Sequence, residues 1–220
     1  MGKYDSILRK NALFEGIEEQ HIPAVLKCLG AQMKKFGKDE FICQEGDKAG
    51  FIGIVLEGRI QIFHDDYGGN RNLTASFDAG AMFAEAFACA KVPFMPVDIL
   101  SYTESVILFI DVNQILRHTG ESCHFHEQIT ENLLKIMARK NMLLNQKLNY
   151  ISHKTTAEKL MAFLNAQAKL HHSPEFTIPY DRQSLADYLG VERSAMSAEL
   201  SKLQKKGVLI TKKNYFKLLG

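Results

Sequence analysis

Residues 181–200 read Asp181-Arg182-Gln183-Ser184-Leu185-Ala186-Asp187-Tyr188-Leu189-Gly190-Val191-Glu192-Arg193-Ser194-Ala195-Met196-Ser197-Ala198-Glu199-Leu200. Asp181 can cap a helix whose Leu185 and Leu189 face inward. Ala186 is small where a second helix has to cross closely, Gly190 supplies a sharp turn, and Val191 fills the corner. A second helix then buries Met196, Leu200 and Leu203. Two short helices joined by a Gly turn form helix-turn-helix grammar, in which the second helix enters the major groove. The same window also fits any helical hairpin with a Gly between its helices. Glu199 departs from the generic pattern, which prefers an apolar residue there, so that face is expected to be solvated.

The outward face of the second helix carries the chemistry. Arg193, Ser194 and Ser197 lie at or near its N-terminal end, the part that enters the groove. An arginine there can bond guanine O6 and N7 together, worth roughly 1–3 kcal/mol of base discrimination. Beyond it come Lys202, Lys205, Lys206, Lys212, Lys213 and Lys217, with no acid between residues 200 and 220. A lysine run is often only a solvated face. Beside a reading helix and a hairpin, phosphate contact is the better account.

Charge supports the same split. The 220 residues carry a net charge of only +2. Residues 1–151 hold 16 Lys/Arg against 19 Asp/Glu, a net of −3, while residues 152–220 hold 11 against 6, a net of +5. Such asymmetry points to a polyanionic partner at the basic end. At 46% apolar and 24% charged, the chain is a folded protein and neither disordered nor fibrous.

Working towards the N-terminus, Ser152-His153-Lys154 opens a new unit. Thr155–Leu170 reads as a helix with Leu160, Phe163, Leu164 and Ala168 inward, ended by Ser173-Pro174. Phe176-Thr177-Ile178 is a short strand, and Val208–Thr211 with Tyr215–Leu219 form a closing hairpin around Lys212-Lys213-Asn214. Upstream, a helical period runs from about Glu121 to Ile151. Leu134, Met137, Asn141, Leu144, Leu148 and Ile151 alternate by three and four, the seam of a coiled coil, and an Asn at one such position fixes a two-stranded register. The alternative is an amphipathic helix packed on its own domain.

Residues 5–29 read as short helices, with Leu8, Leu13, Phe14, Ile17, Ile22, Val25, Leu26 and Leu29 inward. From about residue 31 the pattern changes to short β-branched or aromatic runs: Phe41–Cys43, Phe51–Leu56, Ile60–Phe63, Leu73–Phe77, Val97–Leu100 and Val106–Ile110. Turn signals at Gly37-Lys38-Asp39, Glu45-Gly46-Asp47, Glu57-Gly58, Gly68-Gly69-Asn70 and Asp78-Ala79-Gly80 separate them, as in an antiparallel sandwich or barrel. Ala81–Ala90 is expected to be a short inserted helix. The fold class is therefore α+β: an N-terminal antiparallel, jelly-roll-like β-roll (residues 1–120), a long helix (121–151) and a C-terminal winged helix-turn-helix domain (152–220).

Cys28, Cys43, Cys89 and Cys123 form no C-x-x-C pair, the pattern of reduced intracellular thiols. The opening MGKYDSILRKNALFEG lacks the continuous apolar run of a secretory signal. No apolar stretch approaches the ~18 residues of a membrane span. A cytoplasmic protein with no membrane partner is expected.

A β-roll carrying Glu45-Gly46-Asp47, Leu56-Glu57-Gly58 and a Gly80 turn, then a long helix, then this winged helix-turn-helix, resembles the Crp–Fnr family of bacterial transcription regulators over nearly the whole chain. The resemblance implies a homodimer with a sensor roll, a dimerisation helix and a domain that reads palindromic double-stranded DNA, with RNA polymerase as a further partner. It matches Arg193 to the family's guanine-reading arginine, and Arg182 and Gln183 to residues that approach the DNA backbone. Together with Ser194, Ser197, Lys202, Lys212 and Lys213 these are the candidate DNA contacts.

In the nucleotide-binding members of that family a short helix offers backbone N–H groups and a Glu to the ribose, and an Arg-Ser or Arg-Thr pair grips the cyclic phosphate. Glu85 matches the Glu, within Phe83-Ala84-Glu85-Ala86; a structural carboxylate is its alternative role. The place of the Arg pair falls in Val92–Val97, which includes Met95, Pro96 and Val97, and no Lys or Arg occurs from 92 to 116. Burying a phosphate charge without a cationic partner is strongly unfavourable. Leu144, between Asn141 and Asn145, falls where those members place a small hydroxyl residue. Phe83, Ala84, Glu85, Ala86, Met95, Pro96, Val97, Asn141, Leu144 and Asn145 are thus the candidate effector residues. The effector is expected to be an unknown small molecule, less charged than cAMP and partly apolar. The alternatives are a cyclic nucleotide held at an atypical phosphate site and a constitutive DNA binder with a vestigial pocket.

Other classes fit less well. His124-Phe125-His126 and His171-His172 are spaced so that their side chains diverge, which argues against metal or haem ligation. A cupin-type enzyme needs several ligands from its strands, whereas these strands contribute essentially His64. No nucleophile–base constellation appears, so an enzyme is not expected, and neither is a bound cofactor.

Overall fold

The computed structural model describes residues 2–65, 68, 71–116 and 125–219, and the chain divides into two compact units, residues 1–138 and 139–220. In the first unit the three-four spacing of apolar residues produces helices α1 (Asp5–Lys10) and α2 (Ile22–Cys28), with one-turn 3-10 segments at Ala12–Phe14 and Glu19–His21 between them. Leu8, Leu13, Phe14, Ile17, Ile22, Val25, Leu26 and Leu29 are all buried. Asn11 and Asn132 fix the intervening segment. Asn11 Nδ2 donates to Gly80 O at 3.0 Å, and Asn132 Nδ2 donates to Leu13 O at 3.0 Å and Glu15 O at 2.7 Å.

The strands form two four-stranded antiparallel sheets. One runs in the order β1 (Gln32–Phe36), β8 (Ser105–Asp111), β3 (Phe51–Glu57), β6 (Met82–Phe83); the other runs β2 (Glu40–Cys43), β7 (Asp98–Ser101), β4 (Arg59–Asp65), β5 (Arg71–Asp78). Along β3, Ile52, Ile54 and Leu56 pack with the helices, while Val55 and Phe51 share a core with Ile60, Ile62 and Ile99 of the second sheet and with Val97 just before β7. With both faces covered, the strand is a continuous apolar run instead of an alternating one. Each such side chain contributes roughly 1.5–3 kcal/mol by leaving water.

One local expectation is corrected, and two elements are added to those read from the sequence. Ala81–Ala90 is not one helix: Met82 and Phe83 pair with Ile54 and Gly53 as β6, and α3 spans only Glu85–Cys89. Two residues are too few for a strand to leave a sequence signal. β1 lacks a hydrophobic run because it is an edge strand, largely exposed, whose Lys34 and Lys35 blunt that edge. A further short helix, α4 (Val112–Leu116), follows β8, burying Val112 and Ile115. Of the turn signals, Gly69 and Asn70 lie outside the described residues.

Helix α5 (His126–Ile151) carries the expected long helical period, and residues 121–124 of that expectation lie outside the described residues. In the second unit α6 (Thr156–Leu170) starts at a reciprocal cap, with Thr155 Oγ1 accepting from Glu158 N and the Glu158 carboxylate accepting from Thr155 N. A three-stranded sheet in the order β10 (Leu209–Lys212), β11 (Tyr215–Leu218), β9 (Glu175–Thr177) closes the domain. Lys212 pairs with Tyr215, so the hairpin loop is Lys213-Asn214 alone, one residue tighter than the sequence suggests. Leu160, Phe163, Leu164, Phe176, Leu185, Leu189, Met196, Leu200 and Phe216 share one core.

Candidate functional site

Helices α7 (Arg182–Leu189) and α8 (Arg193–Lys205) form the helix-turn-helix. Asp181 caps α7 by accepting from Ser184 N at 2.7 Å. That bond, with a smaller contribution from the Arg193 charge, holds the Asp181 carboxyl below its ordinary range. Gly190 ends α7 at φ +59°, a left-handed conformation that glycine adopts without cost. Met196 and Leu200 of α8 are buried and Leu203 half-buried. The turn therefore sets α8 with its apolar stripe on the core, leaving Arg193 and Ser194 exposed at its first turn. Glu199, expected to be solvated, is half-buried and bonds Lys202 at 2.6 Å.

Pro179, Tyr180, Asp181, Arg182, Gln183, Arg193, Lys213 and Asn214 line one hollow of about 740 Å³. The start of α7, the start of α8 and the hairpin loop thus converge, bringing Arg182, Gln183, Arg193 and Lys213 together. Arg182 is held within the fold: its Nη2 donates to Thr211 Oγ1 at 2.7 Å and its guanidinium lies 5.1 Å over the Phe216 ring. Burial lowers its pKa somewhat. Gln183 Nε2 donates to Asp187 Oδ1 at 2.8 Å. Ser194 donates to Glu192, and Ser197 Oγ donates to Arg193 O at 2.9 Å. Lys212 and Lys213 are exposed, whereas Lys202 and Lys217 pair with Glu199 and Glu175.

The sequence reading missed three residues of this arrangement. Asn214 Nδ2 donates to Ile178 O at 3.1 Å and its carbonyl accepts from Ile178 N, fixing the hairpin loop against the segment before α7. Thr211 relays Arg182 to the hairpin, donating to Tyr215 O at 3.0 Å. Tyr180 borders the hollow and stacks on Tyr188 at 5.2 Å. An Asn in a hairpin turn was the one available signal.

In the first unit, Phe83, Ala84, Met95 and Val97 are buried in the core between the two sheets, together with Cys43, Val55, Ile60, Ile62, Ile99 and Ile107. The Phe83 ring rests on the bare backbone of Gly53, where an added Cβ would lie 2.2 Å from Phe83 Cζ. Phe51 meets Phe83 edge-on, and Phe109 packs against both Phe51 and Phe36. Ala84 sits at φ +62°, a conformation that costs a non-glycine residue about 1–2 kcal/mol. It starts α3 with Glu85 turned inward, only 4% exposed. Ala86 and Pro96 are exposed. The Cys43 thiol is pushed up to about 12, chiefly by burial and then by Asp47, so it stays protonated and unreactive.

Asn141, Leu144 and Asn145 belong to the second unit, on α5, all exposed, with Asn145 Nδ2 donating to Asn141 Oδ1 at 3.1 Å. His126 is buried; its Nε2 donates to Gln114 O at 2.6 Å and its Nδ1 faces Cys28 Sγ at 3.8 Å. His171 ends α6 and stacks on Phe176, and His124 and Cys123 lie outside the described residues. Among the described residues no group of three His, Cys, Asp or Glu could hold a metal ion. No helix there is long and apolar enough to cross a membrane.

A β-roll followed in the chain by a winged helix-turn-helix is the build of a DNA-binding regulator. Comparison with known families agrees: the cyclic nucleotide-binding domain matches residues 33–119, and the Crp-like helix-turn-helix domain matches residues 158–219. The chain belongs to the Crp–Fnr family of transcription regulators, DNA-binding proteins and not enzymes. A search of curated proteins finds no match. Among solved structures it is similar to a proposed cAMP-binding regulatory protein from Silicibacter pomeroyi DSS-3, with 23% identity, TM-score 0.54, and coverage of 100% of this chain and 95% of the other. It is similar to the catabolite activator protein of Thermus thermophilus, with 18% identity, TM-score 0.50, and coverage of 94% and 93%. It is also similar to the c-di-GMP responsive global regulator CLP of Xanthomonas campestris, with 16% identity, TM-score 0.54, and coverage of 92% and 100%. At these identities the likeness establishes the fold.

Proposed function

We propose that two copies of the chain pair through α5 and read a palindromic operator with α8, each Arg193 taking a guanine in its half-site. The observation that carries this reading is the hollow in which Arg193 meets Gln183 and Lys213 at the N-terminal end of α8. A guanidinium there can bond one base while the hairpin lysines contact phosphates. Pairing through α5 is supported by Leu134, Met142, Leu143, Leu144 and Leu148, each more than half exposed on the single chain. Apolar side chains gathered on one helix are stable in water when a partner covers them. Residues 1–120, 121–151 and 152–220 then serve as sensor, dimerisation helix and reading domain. Once the dimer is on its operator, RNA polymerase is the expected further partner. The test is a gel-shift titration with the upstream region of the protein's own gene, run beside sedimentation analysis. A dimer with steeply salt-dependent, site-selective binding supports the reading. A monomer that binds all DNA alike overturns it.

The effector of the roll is inferred to be a less charged, partly apolar small molecule and not cAMP. Support comes from the absence of Lys and Arg between 92 and 116 and from the apolar company of Phe83, Met95 and Val97. The same packing favours a second reading, a constitutive DNA binder whose pocket is vestigial. Mass spectrometry of ligand released from the purified protein separates the two. A bound small molecule supports the sensor, and empty protein with full operator affinity supports the vestigial pocket.

A further inference from the structure

Six acidic residues lie in the basic portion after residue 151: Glu158, Glu175, Asp181, Asp187, Glu192 and Glu199. Five have work within the fold. Glu158 and Asp181 cap helices, Glu175 bonds Lys217 and Tyr215, Asp187 accepts from Gln183, and Glu199 bonds Lys202. Glu192 differs. It occupies the cap position of α8, but its side chain caps no backbone N–H. It is exposed beside Arg193 and is bonded by the Ser194 hydroxyl.

A carboxylate at the end of a reading helix is repelled by phosphates. The same group gains where a base presents an amine, and the major groove offers two. Adenine sets the N7 acceptor beside its N6 amine, so a carboxylate, which only accepts, meets repulsion there. Cytosine presents its N4 amine with an acceptor on one side only, the O6 of its paired guanine, and its own C5–H on the other. We propose that Glu192, positioned by Ser194, reads a cytosine beside the guanine taken by Arg193. This assignment rests on the DNA-reading role proposed above.

The test is selection from a randomised operator library with the full-length chain and three variants. Wild type is expected to enrich one G and one adjacent C per half-site. Glu192→Ala loses the preference at the C alone, by on the order of ten-fold. Glu192→Gln moves it to A, because an amide can both accept from N6 and donate to N7. Arg193→Ala loses the preference at the G. If Glu192→Ala keeps the wild-type motif and binds every sequence more tightly, the carboxylate only repels phosphate and the assignment fails by itself. If wild type enriches no motif, the assignment falls together with the DNA-reading role.

Discussion

The interior of the roll and the hollow of the winged domain are built in opposite ways. Between the two sheets four of the residues that the family resemblance marks for a ligand, Phe83, Ala84, Met95 and Val97, are packed among aromatic and branched side chains, with Phe83 seated on Gly53. In the winged domain most of the residues marked for DNA, Gln183, Arg193, Ser194, Lys202, Lys212 and Lys213, stand at the surface, on a scaffold fixed by the Asp181 cap, the Gly190 turn and the Asn214 clamp. The first arrangement ties its residues to stability and the second frees them for contact. A substitution should therefore cost folding in one region and recognition in the other.

The largest expected effect falls in the roll. Phe83→Ala should destabilise the protein by about 3–5 kcal/mol, the usual cost of deleting a buried aromatic, measured by chemical denaturation. A loss below about 1 kcal/mol would mean that Phe83 borders open space and that the two regions are alike. Gly53→Ala pushes a Cβ into the Phe83 ring and should cost about 1–3 kcal/mol by overpacking. Adding Phe83→Leu should recover part of that loss, a coupling readable in a double-mutant cycle.

Arg193→Ala sharpens the other side. Its stability should stay within about 0.5 kcal/mol of wild type, as for other exposed substitutions. Operator discrimination should fall by roughly 1–3 kcal/mol while residual non-specific affinity remains. A drop in stability without loss of discrimination would reverse the contrast.

The smallest effect is acid sensitivity. Hydrogen bonds hold the carboxyls of Glu158, Glu175 and Asp181 below their ordinary range: from Thr155 for the first, from Lys217 and then Tyr215 for the second, from Ser184 for the third. Groups with lowered folded pKa add stability above the unfolded value and lose it as pH falls through the folded value. Thermal melts should therefore drop below about pH 4.5. In Glu158→Gln, which removes the titrating carboxyl, the part of that drop due to Glu158 should disappear.

How much could be read beforehand follows from the same contrast. The helix-turn-helix was legible because its signals are local: a cap, a Gly turn and an apolar stripe within twenty residues of sequence. Strands β3 and β8 were legible as apolar runs. Strand β6 was not, since its two residues, paired to Gly53 and Ile54, depend on contacts far along the chain. The packing of Phe83 on Gly53 was equally hidden, because a bare backbone position leaves no trace in composition. Arg182 looked like a backbone contact, and only the hairpin's Thr211 and Phe216 show what it holds.

The most direct test of the central claim, that the winged domain reads DNA while the roll does not take the cyclic nucleotide its fold suggests, is titration calorimetry of the full-length chain with cAMP and cGMP. The expected result is no saturable heat at micromolar concentration, from a protein that retains operator binding. Saturable micromolar binding of either nucleotide would contradict it, because a phosphate would then be held where residues 92–116 supply no cation.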